Sequence, residues 1–413
     1  MTQTNAPRTI KIVDERISGS ASAADRVAER TRAPVMLGPQ SAPRSPIRAA
    51  GYKWVTQAAA SLLRTPQYII LFVSDKCWMK CSHCWFNEDW KDRELTASPL
   101  TFDEYEKLAR SIPYVSFLSM TGGEAFSRSD IVELATMFRK TTRVGRYQIP
   151  TSGYRTDLIV ESTEKILRAN PDTPFRVDVS LDGIDDVHNG IRKIKNGFEK
   201  AVNTIRELNK LKQHYGHFDV GVITTISNMN QHVVRETAEL VESIHPDGEW
   251  MVNIARGDGR DQRAVEVDPQ AYWLAHQLIE ERMARGAYKG HGGHWTAKWL
   301  SAKNAARRNV IYEIINGQRA GGGCTAGSVA GVIQSDGAVK ACEMLDDSLG
   351  NIRDFNYNLV DLWRANAARK VRAFVQDSSC QCTQECFLST SMLISPDAVG
   401  KIVKERWKLG LTT

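Results

Sequence analysis

Hydrophobic runs and amphipathic segments alternate through the middle of the chain. Strand–helix alternation requires parallel pairing with right-handed crossovers, and six such repeats predict an α/β fold, a partial (β/α)6 TIM-type barrel. The six predicted strands are Tyr68–Val73, Val115–Met120, Arg146–Pro150, Phe175–Leu181, Phe218–Ile226 and Glu249–Ile254. The five predicted helices between them are Phe102–Ser111, Asp130–Lys140, Asp157–Ala169, Gly197–Gln213 and Gln231–Ile244.

Polar and small residues follow these strands directly. In a parallel barrel the chemistry gathers at the C-terminal strand ends, so we expect the segments after the strands to lie on one rim. The candidate rim segments are Cys77–Cys84, Gly122-Gly-Glu124, Thr151-Ser-Gly153, Ser180-Leu-Asp-Gly183 and Thr224–Asn228.

Three cysteines after the first predicted strand are spaced Cys77-x3-Cys81-x2-Cys84. Three thiolates can hold three irons of a cubane cluster and leave the fourth iron open to another ligand. A zinc site that adds His83 uses the same loop, because Cys3His is a common structural ligand set. The cysteines alone leave both interpretations open.

The order of the later motifs favours the cluster. The three-cysteine loop, followed by Gly-Gly-Glu and then by Ser180 and Arg192 around an Asp-Gly pair, resembles the radical S-adenosylmethionine (radical SAM) superfamily. In that superfamily the open iron takes the amino and carboxylate groups of S-adenosylmethionine (SAM). The resemblance implies a SAM site built from His83, Gly122, Gly123, Glu124, Ser152, Ser180, Asp182, Arg192 and Thr224. His83 stands where the family usually has an aromatic residue.

Five more cysteines lie near the C-terminus. The spacing Cys324-x12-Gly337-x4-Cys342 is similar to the opening of SPASM and twitch domains, which add auxiliary iron–sulfur clusters to radical SAM barrels. Strand-like runs at Val329–Gln334 and Ala338–Ala341 flank a turn at Gly337, so a β-hairpin is predicted.

The remaining cysteines form the run Cys380-x-Cys382-x3-Cys386. Five cysteines suffice for one cluster but not for two. This number of cysteines resembles the shorter twitch form of the domain. The resemblance implies that Cys324, Cys342 and Cys386 are ligands of an auxiliary 4Fe-4S cluster, with Cys380 or Cys382 as the fourth. A zinc ribbon is the alternative.

Glu343 is the candidate catalytic residue. It directly follows Cys342, and in sulfatase-maturating enzymes an Asp after the corresponding cysteine is placed to take a proton during substrate oxidation. The resemblance therefore implies a general base at Glu343. A solvated hairpin glutamate is the alternative interpretation.

Composition excludes several classes of protein. The 413 residues carry a net charge of +6, but ten of the 54 Lys and Arg and only four of the 48 Asp and Glu lie in residues 1–65. The rest of the chain is neutral, so no nucleic-acid channel is indicated. Neither a membrane-spanning run nor a leader peptide is apparent, and the clustered cysteines suit metal binding in a reducing cytoplasm rather than disulfides.

These observations predict five parts of the chain. A basic extension precedes the barrel, and a helical connection links the barrel to a small twitch/SPASM-like domain and a tail. Their predicted bounds are 1–66, 67–256, 257–320, 321–395 and 396–413.

The resemblance implies an enzyme that cleaves SAM reductively to a 5′-deoxyadenosyl radical and abstracts a hydrogen from its substrate. An external one-electron donor such as flavodoxin or ferredoxin is implied. The substrate expected is a small natural-product-type molecule, because residues 1–65 lack the strand content of a peptide-recognition module. A peptide- or protein-modifying maturase is the alternative, and a non-catalytic iron–sulfur or zinc-binding scaffold is the alternative of another class.

Overall fold

A computed structural model gives the fold of the chain, and it describes residues 62–85, 98–257, 259–286, 295–318, 323–377, 380 and 382–410. Nearly all of the predicted basic extension, residues 1–61, lies outside the described residues.

The core of the molecule is a nine-stranded, mostly parallel sheet. Its central six strands follow one another in the order β1, β3, β5, β6, β7 and β8, all parallel. The strands are β1 Tyr68–Ser74, β2 Tyr114–Val115, β3 Phe117–Gly122, β4 Arg143–Val144, β5 Tyr147–Thr151, β6 Phe175–Ser180, β7 Phe218–Ile226, β8 Glu249–Ile254, β9 Ala330–Ile333, β10 Ala338–Lys340 and β11 Ser348–Asn351. The short strands β2 and β4 pair separately. The prediction of an α/β fold with a parallel sheet is confirmed, consistent with a partial barrel.

Helices cover the sheet and connect its parallel strands. Those of the described residues are α1 Phe102–Arg110, α2 Ile131–Thr141, α3 Thr156–Ala169, α4 Asp185–Arg192, α5 Gly197–Lys212, α6 Val234–Ile244, α7 Pro269–Ala284, α8 Trp295–Ile315, α9 Leu359–Arg364, α10 Asn366–Asp377, α11 Glu385–Ile394 and α12 Pro396–Lys408. None of them is long and apolar enough to span a bilayer.

Helix starts follow ordinary capping chemistry. Thr101 and Glu104 form a reciprocal capping box at the start of α1, so two backbone N–H groups without helical partners are satisfied. Asp268 caps α7 ahead of Pro269, whose fixed φ suits the first helical position.

The structure differs from the sequence prediction in several elements. Helix α4 was not predicted, because Val187 and Ile191 are its only aliphatic residues and they give too short a periodic signal. The segment 396–413 was treated as a tail, yet it contains α12, which packs against α8.

The C-terminal hairpin continues the barrel sheet. Strand β9 pairs parallel with β1 and antiparallel with β10. Gly337 in the connecting turn has φ +88°, a conformation that favours glycine. The buried ring of Trp363 lies against Gly331 of β9, where an added Cβ would come within 2.6 Å of the ring. The hairpin therefore stands beside the strand that leads to the first cysteine loop.

Candidate functional site

The first cysteine loop leaves the C-terminal end of β1. Cys81 is buried, whereas Cys77 and Cys84 are half-buried. The backbone between them is held from two sides: Ser82 N–H donates to the carbonyl of Ile191 at 2.8 Å, and the carbonyl of Ser82 accepts from Asp261 N–H at 2.9 Å. The loop is thus fixed by α4 and by the segment that follows β8.

Gly122 and Gly123 bring the end of β3 against the cysteine loop. Gly123 N–H donates to the carbonyl of Ser74, and the next N–H, of Glu124, donates to the carbonyl of Lys76, both at 2.8 Å. Gly122 has φ +138°, and a Cβ on Gly123 would lie 2.5 Å from the Lys76 oxygen. Only glycine permits this approach of the two backbones.

The Glu124 carboxylate is buried and crosses to the end of β5. It accepts from the hydroxyl of Thr151 at 2.9 Å, and from the N–H and hydroxyl of Ser152 at 2.9 and 2.6 Å. Burial raises the pKa of Glu124 above the ordinary carboxyl value, although these hydrogen bonds oppose the shift. The predicted residues Gly122, Gly123, Glu124 and Ser152 therefore lie together on one rim.

Arg192 links the cysteine loop to Asp182. Its Nη1 lies 3.6 Å from Cys81 Sγ, and its Nη2 lies 2.6 Å from Asp182 Oδ2. Asp182 Oδ1 accepts from Thr225 N–H at 2.8 Å. Burial, the largest single influence, would raise the pKa of Asp182, but Arg192, His83, His188 and the N–H of Thr225 together outweigh burial and the pKa is lowered. This pair is a buried, compensated ion pair next to a thiol.

His83 lies beside the same carboxylate. Its Nε2 is 3.8 Å from Asp182 Oδ2, and burial lowers the pKa of the imidazole to about 4, so the ring is neutral near pH 7. Burial also raises the pKa values of the Cys77 and Cys81 thiols. A bound metal reverses this, because coordination deprotonates a thiol.

Ser180 and Thr224, which are also predicted SAM-site residues, lie at the ends of neighbouring strands. Ser180 ends β6 at the rim and is half-buried. The buried hydroxyl of Thr224 donates to the carbonyl of Leu181 at 2.7 Å and accepts from the indole N–H of Trp250 at 2.9 Å. Thr224 therefore joins β6, β7 and β8 through its hydroxyl.

Glu343 lies half-buried between the hairpin and α11. Its Oε2 accepts a hydrogen bond from the side-chain amide of Gln384. Burial raises the pKa of the Glu343 carboxyl to about 7, and Arg256 opposes that shift. Arg256 itself is paired with Glu385 at 2.7 Å. The solvated hairpin glutamate considered from the sequence does not describe these surroundings.

The five C-terminal cysteines come from three separate segments. Cys342 is buried and the others are half-buried. Cys324 precedes β9, Cys342 follows β10, and Cys380 and Cys382 precede α11, whose first turn contains Cys386. In the described residues no three His, Cys, Asp or Glu side chains lie close enough to share one metal ion. A cubane spreads its thiolates over separate irons, so it requires wider spacing than one zinc ion.

Sequence reasoning missed charged residues beyond β8. Arg256 stands two residues after the strand and Arg260 Nη1 reaches the carbonyl of Cys81 at 3.4 Å. Their position at a C-terminal strand end was the available signal. Lys303 gave none, since it lies in the middle of α8; it is buried, and burial lowers the pKa of its ammonium group to about 7.

One rim of the parallel sheet therefore carries a thiol-rich loop, a backbone-to-backbone glycine contact and buried carboxylates. Residues 71–241 match the family model of the Radical SAM superfamily. This match supports the superfamily resemblance predicted from the motifs, and members of that superfamily are enzymes.

Similar proteins of known name cover more of the chain. It is 25% identical to pre-heme d1 synthase of Dinoroseobacter shibae over 232 residues, which are 55% of this chain and about half (54%) of that protein. It is 22% identical to the sporulation killing factor maturation protein SkfB of Bacillus subtilis (77% of this chain, 69% of that protein). It is 25% identical to Fe-coproporphyrin III synthase of Methanosarcina barkeri (73% and 77%).

Solved structures share the fold at low identity. One is the structure of anSMEcpe with bound AdoMet. Its TM-score is 0.51 at 17% identity, and the match covers 84% of this chain and 97% of that one. The chain also resembles Streptococcus suis SuiB bound to the precursor peptide SuiA with a TM-score of 0.53 at 13% identity, covering 85% and 77%. At these identities the likeness establishes the fold alone.

Proposed function

We propose that the chain is a radical SAM enzyme in which Cys77, Cys81 and Cys84 hold a 4Fe-4S cluster beside a SAM site. The observation that carries the proposal is the junction of three motifs. The backbone of the cysteine loop contacts Gly123 and Glu124, and the guanidinium of Arg192 contacts Cys81. A scaffold that only binds metal has no use for this junction.

The residues present fit both groups. Three thiols on one short loop supply soft ligands for three irons, and the guanidinium of Arg192, on α4, places a positive charge beside Cys81. Cluster and SAM, when bound, supply reductive SAM cleavage and hydrogen abstraction from the substrate.

The chain's own residues would receive and orient SAM. Glu124 is held by Thr151 and Ser152, so its carboxylate can accept from an ammonium group without rearranging. Ser180 and Asp182 stand on the neighbouring strand end, and neutral His83 offers a ring for stacking. These roles extend the family resemblance to this chain's own side chains.

Anaerobic reconstitution followed by a 5′-deoxyadenosine assay tests this function. With SAM and dithionite the loaded protein should release 5′-deoxyadenosine and methionine, and omission of the reductant is the control. A protein that binds four or more irons and yet gives no SAM cleavage with chemical or flavodoxin reductants would support the scaffold alternative.

An auxiliary 4Fe-4S cluster on the C-terminal cysteines belongs to the same proposal. In support, that region supplies five cysteines around one hairpin and α11. The cysteine spacing of this region is the one that resembles twitch and SPASM domains. A cluster bound there would exchange electrons with the substrate. Iron and sulfide analysis should give about eight irons per chain; about four irons with bound zinc would contradict the auxiliary cluster.

Glu343 is proposed as the general base of the reaction. Its carboxylate lies on the residue after Cys342 and is hydrogen-bonded by Gln384 in a half-buried position. A carboxylate so held could accept the proton lost when a substrate radical is oxidised.

The substrate proposed is a peptide. SkfB is a maturation protein, and SuiB has been seen with the precursor peptide SuiA; both match more than three quarters of this chain. A peptide therefore replaces the small natural-product-type molecule, expected from the sequence, as the first candidate substrate. Mass spectrometry of candidate precursor peptides, encoded next to this protein's gene, should reveal a loss of two hydrogens or a crosslink.

A small-molecule substrate remains the second candidate because pre-heme d1 synthase and Fe-coproporphyrin III synthase are also relatives. Incubation with tetrapyrroles is the matching experiment. Stimulation of 5′-deoxyadenosine release by a tetrapyrrole and not by any peptide would favour this candidate.

A further inference from the structure

A pocket lies at the edge of the sheet, away from the SAM rim. Strand β8 is the last strand on that side; α7 packs against it, and α8 packs against α7. The pocket between these elements has a volume of about 380 Å³, at the lower end of the range for small-molecule sites. Glu249 and Trp250, the first two residues of β8, line it. It therefore lies at the opposite end of this strand from the rim.

Arg308 of α8 brings a buried guanidinium group to the pocket lining. The residue is only 7% exposed. Its Nε donates to Nδ1 of His276 at 3.1 Å, whereas its Nη2 is buried and has no hydrogen-bond partner. A buried charge is costly unless it is paired and hydrogen-bonded, so this guanidinium requires an acceptor.

His276 does not supply the missing negative charge. Its Nδ1 accepts from Arg308, and its Nε2 lies 2.9 Å from Oδ1 of Asn309, so the ring proton is on Nε2. Burial lowers the pKa of the imidazole to about 4, and the ring is therefore neutral near pH 7. Arg308 is hydrogen-bonded to a neutral group.

The carboxylates near Arg308 are paired with other cations. Glu280 lies 2.8 Å from Nζ of Lys408, and Glu249 lies 2.8 Å from Nη1 of Arg176. Among the residues that the structure describes, no carboxylate forms an ion pair with Arg308. Burial accordingly lowers the pKa of its guanidinium from the ordinary value, although Glu280 and Glu249 oppose the shift.

A second arginine holds the wall of the pocket. Arg282 of α7 is buried, and its Nη2 donates to the carbonyl of Pro246 at 2.8 Å and to that of His245. These bonds fix α7 to the turn before β8. The wall is thus preformed, and it adds a positive charge to the lining.

The other lining residues indicate the kind of anion. Ser301 lies seven residues before Arg308, on the same face of α8, and its hydroxyl is a further donor. Trp250 and Ile279 provide buried apolar walls. A carboxylate on a short hydrocarbon chain suits both kinds of surface. A doubly charged phosphate suits them less, because the carboxylate of Glu249 in the same lining repels additional negative charge.

We propose that this pocket binds a small monocarboxylate, with Arg308 Nη2 and the Ser301 hydroxyl as its donors. The bound oxygens provide the charge-assisted hydrogen bonds and the counter-charge that Arg308 requires. The proposal is independent of the proposed function, because the pocket shares no residue with the cysteine loop or the predicted SAM site.

Isothermal titration calorimetry with sodium propionate tests the proposal. The full chain is used after anaerobic reconstitution, and sodium chloride keeps the ionic strength constant. Saturable binding at one site is expected, with a Kd on the order of 1 mM because a ligand of so few atoms has limited affinity. Propionamide, which has the same shape without the charge, and inorganic phosphate are titrated for comparison and should bind more weakly.

Substitutions on α8 locate the site. Arg308→Gln should weaken propionate binding about 10- to 100-fold, the scale of a lost hydrogen bond to a charged group. Ser301→Ala should weaken it by up to about 10-fold. Arg307→Gln is the matched control: it removes the same charge from the next residue, whose Nη1 donates to Ser389 at 2.6 Å outside the pocket lining. Its affinity for propionate should equal that of the unaltered protein.

Several results would overturn the proposal. They are an absence of saturable propionate binding, an unchanged affinity in folded Arg308→Gln, and an equal loss in Arg307→Gln, which would indicate general attraction to a basic helix. Phosphate or propionamide binding as tightly as propionate would overturn the assignment of a monocarboxylate. If circular dichroism shows that Arg308→Gln does not fold, Ser301→Ala and the propionamide comparison decide the matter. None of these measurements depends on SAM cleavage, so failure of the proposed function leaves them unaffected.

Discussion

The two cysteine regions bring their thiols together in different ways. In the first, Cys77, Cys81 and Cys84 lie within eight residues, and Ser82 in their loop donates to the carbonyl of Ile191 and accepts from the N–H of Asp261. In the second, the cysteines come from segments before β9, after β10 and around α11, and together they span about sixty residues of the chain, from Cys324 to Cys386. One site is local and the other is assembled by the fold.

This difference determines what spacing can reveal. A loop of eight residues has few conformations, so the spacing of its cysteines nearly specifies their geometry. In the assembled region, the positions of the cysteines depend on how the segments before β9, after β10 and around α11 pack together, and spacing alone carries no information about that packing. Family spacing is therefore a safer guide to the first site than to the second.

The largest expected effect comes from removing the local site. Replacing Cys77, Cys81 and Cys84 together by Ala should abolish 5′-deoxyadenosine formation, because SAM ligation and electron delivery both depend on those thiolates. The auxiliary iron should remain, since its ligands belong to the assembled region. Product assay and iron analysis of one preparation check both statements; substantial SAM cleavage by the triple variant would refute the assignment.

Arg192 gives the next largest effect, on stability. Arg192→Met leaves the buried carboxylate of Asp182 without its guanidinium partner, and breaking a buried pair in this way costs about 3–5 kcal/mol. Urea unfolding of the cofactor-free protein measures the loss. Arg168→Met is the matched control, because that arginine pairs with Glu164 at the surface, and a much smaller change is expected there.

A double variant sharpens the Arg192 experiment. Asp182→Asn combined with Arg192→Met should recover part of the loss, because the uncompensated charge is gone. If the double variant is as unstable as the sum of the two single variants, the pair does not act as a unit and the explanation is wrong.

Glu343 tests the assembled region in the same way. Glu343→Gln keeps the size of the side chain and its acceptor oxygen for Gln384 but removes its basicity. SAM cleavage should continue, while formation of oxidised product should fall about 100-fold, the usual scale for a lost acid–base group. Product-to-5′-deoxyadenosine ratios measure this uncoupling.

The control for Glu343 is Asp347→Asn, which changes an exposed carboxylate in the same connection between β10 and β11 and should leave the ratio unchanged. Unchanged product formation by Glu343→Gln would reduce that residue to a packing role.

Most of the sheet could be predicted from the sequence, because buried parallel strands give apolar runs that stand out from amphipathic helices. Strands β7 and β8 match the predicted bounds, Phe218–Ile226 and Glu249–Ile254. Glu124 and Asp182 were placed on the rim by their motifs. Arg192 is predicted by the same motifs, although the helix that carries it, α4, is only eight residues long. Lys303 lies in the middle of α8, where no motif indicates it.

A contact between α1 and the segment that follows β11 gives the smallest effect. Glu104 of α1 accepts from Arg353 at 2.6 and 3.0 Å and from the hydroxyl of Tyr357 at 2.8 Å, and these bonds, led by Arg353, lower its pKa to about 2. An unfolded Glu titrates near about 4.3, so the contact stabilises the fold above that pH and its contribution is lost as the pH falls towards 2. Glu104→Gln should therefore cost about 1–2 kcal/mol at pH 7, since the site is partly solvated, and the difference from the unaltered protein should shrink below about pH 4. Urea unfolding at pH 7 and pH 3 measures both values, with Glu106→Gln, in a surface pair with Arg110, as the control. A difference that is constant with pH would show that Glu104 acts through its helix cap and not through its charge.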